Sequence, residues 1–145
     1  ACIERGVPVY HGDMLEGIAY YDDQAFDVVI LSQTLQQSAS PVRVIEEMLR
    51  VGHTAIISFP NFGYWRVRFQ LMFEGIMPVT DALPYEWYDT PNVHLCTVTD
   101  FRRLCDQLGL ERLREIFLVP PSRQIGAWWA NWWAEIAIFH IRQAR

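Results

Sequence analysis

Apolar residues gather in two short runs, FDVVIL at 26–31 and TAIISF at 54–59. Continuous apolar runs of this length, rich in β-branched residues, predict strands covered on both faces. Between them Val42, Ile45, Met48 and Leu49 recur at helical spacing, and Glu46, Glu47 and Arg50 fall mostly on the opposite side. Pro41 suits the first turn of that helix, Ser40 is the expected N-cap, and Gly52 is the expected stop. Strand, helix, strand over 26–61 is one βαβ unit, because a crossover of this length joins parallel strands. Ligands of open α/β sheets bind beyond the carboxyl ends of such strands. Those ends are Ser32-Gln33-Thr34 and Phe59-Pro60-Asn61.

The flanking pattern extends this unit. ACIERG (1–6) reads as the end of a helix closed by Gly6, and VPVYHGD (7–13) as a short strand. Residues 14–25 read as a polar and aromatic connection that turns at Asp22-Asp23. FGYWRVRFQLMF (62–73) has the period of an amphipathic helix. The next stretch, 77–95, holds three prolines and many aromatics and predicts an ordered loop insertion. Thr97 and Asp100 have the spacing of a capping box. Phe101, Leu104, Cys105 and Leu108 form the expected buried face of the helix it starts, and Gly109 ends it. Two further strands are predicted near 111–119 and 134–142. Between them Trp128, Trp129, Trp132 and Trp133 would make one aromatic stripe on a helix, most of it core.

Composition narrows the classes. One domain is the default for 145 residues, and 51% hydrophobic residues suffice for a core. The formal net charge of −5 argues against nonspecific nucleic-acid binding, which needs a basic footprint. The chain contains no lysine; all twelve of its basic residues are arginine. No apolar run reaches membrane-spanning length, and no signal peptide is evident. Cys2, Cys96 and Cys105 lack metal or disulfide spacing, so they read as ordinary thiols in a reducing, cytoplasmic compartment. No metal site is expected.

Several longer words carry a resemblance: RGVPVYHGD (5–13), FDVVILSQTLQ (26–36), PVRVIEEMLRVG (41–52), AIISFPNFGYWRVR (55–68), MPVTDALPYEWYDTPNVHLCT (77–97) and DFRRLCDQLGL (100–110). Together they are similar to the MetW family of methionine-biosynthesis proteins. The resemblance covers about residues 1–119. It implies a class I S-adenosylmethionine (SAM)-dependent methyltransferase-like fold: α/β, three-layer αβα, with a mostly parallel sheet and a C-terminal antiparallel strand. Residues 1–145 would then form a single domain with an aromatic-rich insertion at about 62–96. The glycine-rich turn of that fold, and the acidic residue that holds the ribose, are not in this sequence. The chain is expected to lack the first βαβ unit, roughly 30 residues, and a longer native protein to supply it. Failing that, strands 7–13 and 26–31 would pair directly or with a second copy, as in a homodimer.

The resemblance also implies a crevice. Gly12, Asp13 and Met14 would lie beside the adenine ring of SAM, where the plainer reading of Asp13 is a strand-ending turn. Ser32 and Gln33, with Thr34, would lie near its methionyl part, where the plainer reading is a turn cluster. Asn61, Tyr64 and Arg66 would face substrate, Tyr64 orienting a polar group and Arg66 holding a carboxylate. The plainer reading packs Tyr64 and Trp65 onto the core and leaves Arg66 and Arg68 solvated. His94 is the candidate general base, with Tyr64 a second weak catalytic candidate. Two functions follow. One is an accessory protein acting with homoserine O-acyltransferase, docked through the aromatic insertion (83–95) and the tryptophan stripe. The other is an active SAM-dependent methyltransferase on an unknown small acceptor.

Overall fold

The computed structural model describes residues 12–121 and 123–144. The expected helix end at 1–6 and most of the strand at 7–13 lie outside the described residues. The helices are α1 (Met14–Ile18), α2 (Pro41–Val51), α3 (Trp65–Phe69), α4 (Val98–Gln107) and α5 (Ala130–Trp133). The strands are β1 (Phe26–Ser32), β2 (Gly52–Pro60), β3 (Leu110–Val119), β4 (Arg123–Ile125) and β5 (Ile136–Gln143). They form one open sheet in the order β1-β2-β5-β3-β4. β1 and β2 run parallel, with Phe26 opposite Gly52 and Ser32 opposite Ser58, so the βαβ unit is as expected. β5 is antiparallel to both β2 and β3, which makes it the expected antiparallel C-terminal strand. The three-residue strand β4 was not legible; it is a short hairpin partner of β3.

The core sits on one face of the sheet. Leu31, Ala55, Ile57, Phe59, Ala137, Phe139 and Ile141 alternate inward and meet Ile45 and Met48 of α2 and Phe101 and Cys105 of α4. Phe101 packs at 5.0 Å from Phe59 and 4.7 Å from Phe139, centroid to centroid. The other face of β1 departs from expectation. Phe26, Val28 and Ile30 are exposed, Ile30 at 67%. They point away from α2 and line an open cavity that α1 borders with Met14, Gly17 and Ile18.

Local chemistry explains the element ends. Thr97 and Asp100 close the capping box, with the Asp100 N–H donating to Thr97 Oγ1 at 3.1 Å and the Thr97 N–H to Asp100 Oδ2 at 3.3 Å. Gly109, at φ +62°, supplies the left-handed turn after α4. Ser40 occupies the N-cap position of α2 but makes no side-chain cap hydrogen bond. The buried stripe of α2 is Val44, Ile45, Met48, Leu49 and Val51, whereas Val42 is 40% exposed in the first turn, at the rim of that stripe. The expected helix over 62–73 is only α3 followed by a π-helical turn at Gln70–Glu74, stopped by left-handed Gly75. Phe69, Leu71, Met72 and Phe73 stay exposed there. Residues 77–95 contain no helix or strand, as the prolines predict.

Gly52 stops α2 as expected, its N–H donating to the Met48 carbonyl, and it has a second role. Its φ is −118°, and it is the first residue of β2. A Cβ there would stand 2.6 Å from Val29 Cγ2 and 3.0 Å from the Met48 carbonyl oxygen, so glycine is required by close approach. Gly52→Ala should therefore cost about 1–3 kcal/mol through overpacking. Urea unfolding that matches the parent would remove this account.

Candidate functional site

β1 ends in a strained turn. Gln33 adopts φ +49°, a left-handed conformation uncommon outside glycine. Its N–H donates to both the carbonyl (3.0 Å) and Oγ (3.1 Å) of Ser58, which ties the ends of β1 and β2 together. Thr34 Oγ1 donates to the Ser32 carbonyl at 2.8 Å. The short 3-10 turn at Leu35–Gln37 follows and buries Gln36. Gln36 Nε2 donates to the Gln33 carbonyl at 2.9 Å, while its Oε1 is buried with no partner. The Gln36 carbonyl accepts from the Val93 and His94 N–H groups, both at 2.9 Å. The aromatic insertion is thus pinned to the carboxyl end of β1, and His94 arrives beside it with an exposed side chain. Gln36 was missed in the sequence because a second glutamine after a strand carries no motif.

Asp13 caps α1, accepting from the Leu15 N–H at 2.8 Å and the Glu16 N–H at 3.3 Å. Gly12 and Met14 border an open cavity of about 500 Å³, otherwise walled mainly by apolar groups including Ile18, Phe26, Val28 and Ile30. That lining suits a flat, mostly apolar group far better than a metal ion or a bare phosphate. Gly12 and Met14 therefore share a wall with β1, and Ser32 and Gln33 end the same strand.

The segment after β2 faces inward. Asn61 is 1% exposed, and its amide is fully engaged. Nδ2 donates to the Ala134 carbonyl at 2.7 Å and the Asn131 carbonyl at 3.3 Å, while Oδ1 accepts from Gly63 N–H at 3.0 Å and Val98 N–H at 3.2 Å. A Cβ on Gly63 would stand 2.8 Å from the Asn131 carbonyl, so this junction is also closely packed. Tyr64 is buried with Val67 and Leu83. Arg66 is exposed, with its guanidinium 5.6 Å from the Trp65 ring centroid. Arg68 is tied down: its Nε donates to the Gly63 carbonyl at 2.6 Å, and it lies over Trp132 at 4.9 Å.

The tryptophans correct the expectation of a core stripe. All four are exposed, Trp128 at 88%. Residues 127–133 are a 3-10 turn followed by the four-residue α5, and Ala130 is the buried residue there. Trp133 rests on Trp65 at 6.1 Å, and Trp132 under Arg68. Trp128 and Trp129 project outward.

Burial raises the Cys96 thiol to about 12 and the Cys105 thiol to about 11, so both stay protonated and unreactive near neutral pH. Among the described residues no group of three His, Cys, Asp or Glu side chains is placed to hold a metal. No helix among them is long and apolar enough to cross a membrane.

A second residue was not anticipated. Glu135, between α5 and β5, is 7% exposed. Burial pushes its carboxyl above the ordinary value, aided by Asp81 and opposed by hydrogen bonds from the Ala82 backbone and Thr80 and by the charge of Arg66. The folded protein thus binds this proton more tightly than the unfolded chain. Glu135 then subtracts stability as pH rises from the ordinary carboxylate range through its raised folded value. Glu135→Gln should melt a few degrees higher than the parent at pH 7–8 and equally in acid below the ordinary value. A gain that persists unchanged in acid would point to another cause.

Comparison with known proteins accords with this fold. The family described as methionine biosynthesis protein MetW matches residues 1–141. The bifunctional methionine biosynthesis protein MetXA/MetW of Rhodopirellula baltica is 40% identical over 114 residues, which are 78% of this chain and 18% of that protein. The chain therefore spans about a fifth of that relative's length. A SAM-dependent methyltransferase of Thermotoga maritima superposes with a TM-score of 0.67 at 14% identity, over 98% of this chain and 66% of its own. One from Archaeoglobus fulgidus gives 0.65 at 10% identity, over 97% and 69%. At those identities the two structures speak for the fold alone, which is of the class I methyltransferase type. By the extent of the family match and the identity to the Rhodopirellula protein, this chain belongs to the MetW family of methionine-biosynthesis proteins.

Proposed function

We propose that the chain is a cytoplasmic accessory protein of bacterial methionine biosynthesis that acts with homoserine O-acyltransferase by direct contact. The observation that carries this reading is the aromatic surface: Trp128, Trp129, Trp87 and Tyr88 are exposed on two segments without regular helix or with only short turns. Exposed tryptophan and tyrosine side chains are the residue types that anchor interface cores. The joined MetXA and MetW names of the Rhodopirellula relative support the same pairing. The test is size-exclusion chromatography with light scattering on the chain mixed with the acyltransferase from the same genome. A stable complex at micromolar concentration is expected, and two separate peaks would reject the reading. The same run reports whether the free chain is a homodimer.

A second reading, a SAM-dependent methyltransferase on a small acceptor, is favoured by the apolar cavity at Gly12 and Met14 and the spare acceptor on Gln36. SAM would supply an electrophilic methyl group. In this reading Gly12, Asp13 and Met14 hold the adenine side, and Ser32 and Gln33 the methionyl side. Arg66 is the group left to receive an acidic acceptor, and His94 the one left to take a proton. Calorimetry with SAM decides it on protein that carries the glycine-rich turn and the ribose-holding acidic residue as well as these 145 residues, since this chain alone, lacking both, is not expected to bind SAM. No heat there would end the enzyme reading and leave the accessory one standing.

A further inference from the structure

We propose that the cleft between α3 and the turn at 79–84 binds a free α-amino acid with an apolar side chain, its carboxylate on Arg66 and its ammonium between Asp81 and Glu135. This goes beyond the accessory reading and does not rest on it.

Three openings meet there. The largest, about 790 Å³, is lined by Trp65, Arg66, Phe69, Gln70, Phe73 and Asp81 among others. Asp81 also lines an adjoining cavity of about 210 Å³ that exposes Glu135. Arg66 and Trp65 line a third, of about 330 Å³, which shares Val119 and Pro120 with the second. Arg66 and Asp81 therefore stand at the junctions, and Glu135 lies within reach of both their fields.

Among the described residues neither Arg66, Asp81 nor Glu135 has an ion-pair partner within 4.0 Å, although Glu135 takes hydrogen bonds from the Ala82 backbone and Thr80. A nearly buried carboxylate without a paired cation is costly, and the cost falls when a cation arrives. An ammonium can satisfy Glu135 and Asp81 together. The planar guanidinium of Arg66 can take a carboxylate in bidentate fashion, a task for which lysine is a poor substitute. Gln70 adds an acceptor, since its Oε1 is buried and has no partner. Trp65, Phe69 and Phe73 form an aromatic wall for an apolar side chain, with Trp65–Phe69 and Phe69–Phe73 centroids 5.9 and 5.2 Å apart. A few fixed polar groups converging beside an apolar wall is the usual build of a small-molecule site. Opposite charges at one end and aromatic rings at the other specify a zwitterion with a greasy tail.

The test is isothermal calorimetry and thermal melting of the 145-residue chain with L-leucine and L-methionine as probes. At least one should bind with Kd below about 1 mM, and N-acetyl-leucine and leucinamide, each lacking one charge, at least about tenfold weaker. Arg66→Gln and Asp81→Asn change exposed side chains, so both should fold and each lose at least about tenfold in affinity. Glu135→Gln should raise the melting temperature of the free protein yet weaken binding, opposite signs that a folding defect cannot produce. The proposal is overturned if neither amino acid binds at about 10 mM, if the blocked derivatives bind equally, or if affinity survives in both Arg66→Gln and Asp81→Asn. Complex formation with the acyltransferase is read separately, so either idea can fail alone.

Discussion

Replacing Asn61 by alanine is expected to cost about 3–5 kcal/mol of unfolding free energy, through loss of buried hydrogen bonds and the polar groups left unpaired. Asn61 directly follows β2, and its one amide binds Gly63 before α3, Val98 at the start of α4, and Ala134 before β5. The side chain is 1% exposed, so water cannot replace it without rearrangement. Alanine would strand the Val98 and Gly63 N–H groups and the Ala134 carbonyl. Each stranded buried group costs about 1–3 kcal/mol. The damage should be directional. Hydrogen exchange should accelerate at Val98 and Gly63 before it does in β2 or β5, because the sheet ladder does not depend on this amide. Asn61→Asp keeps the shape and the acceptor but loses the donor, turning a carboxylate toward the Ala134 carbonyl at a position where Nδ2 stood 2.7 Å away. That variant should be as unstable as alanine at neutral pH and recover partly in acid, as the protonated carboxyl regains an O–H. Urea unfolding at two pH values checks both, and an alanine variant within 1 kcal/mol of the parent would refute the role.

Asn61 also marks the border of what the sequence can tell. The βαβ unit was legible because periodicity and turn chemistry are local: FDVVIL and TAIISF bracket one helical stripe. The capping box was legible for the same reason, since Thr97 and Asp100 lie three residues apart. Asn61 looked substrate-facing because it follows a strand at the crevice end. Two of its actual partners, Val98 and Ala134, lie 37 and 73 residues away, and no local pattern encodes them. Gly52 is the helix stop it looked like, but what excludes a side chain there is Val29, on the neighbouring strand, which no local pattern encodes. Glu135 gave no signal at all; the groups that act on its carboxyl, Thr80, Asp81 and Ala82, lie more than fifty residues earlier. The tryptophan stripe failed in the opposite way. The spacing i, i+1, i+4, i+5 presumed a long helix, but α5 has four residues, and Ala130 takes the inward position. Hydrophobicity then predicted burial where the fold offers no core to receive it. The family resemblance reached further than the local patterns, because words such as SFPNFGYWRVR record a whole fold at once.

That failed burial leads to the second large effect. If the accessory reading holds, Trp128→Ala or Trp129→Ala should weaken the complex with homoserine O-acyltransferase by about thirtyfold or more, since a central tryptophan hot spot is worth about 2 kcal/mol or above. The free protein should hardly notice, because exposed substitutions usually stay within about 0.5 kcal/mol. Trp128 is 88% exposed and takes no part in the core. Trp132 and Trp133 are unsuitable for the purpose: Arg68 lies over the first and Trp65 against the second, so their loss would mix docking with local packing. Salt separates this contact from a charge-driven one. An aromatic anchor should hold its affinity between 0.05 and 0.5 M salt, whereas exposed ion pairs are screened over that range, where the Debye length falls from about 14 to about 4 Å. The affinity loss should appear mainly in the dissociation rate, since most interface substitutions act there. Surface plasmon resonance on the immobilised acyltransferase gives both rates. Unchanged dissociation for both variants, with unchanged melting temperatures, would place the acyltransferase contact elsewhere and leave the exposed tryptophans without a partner.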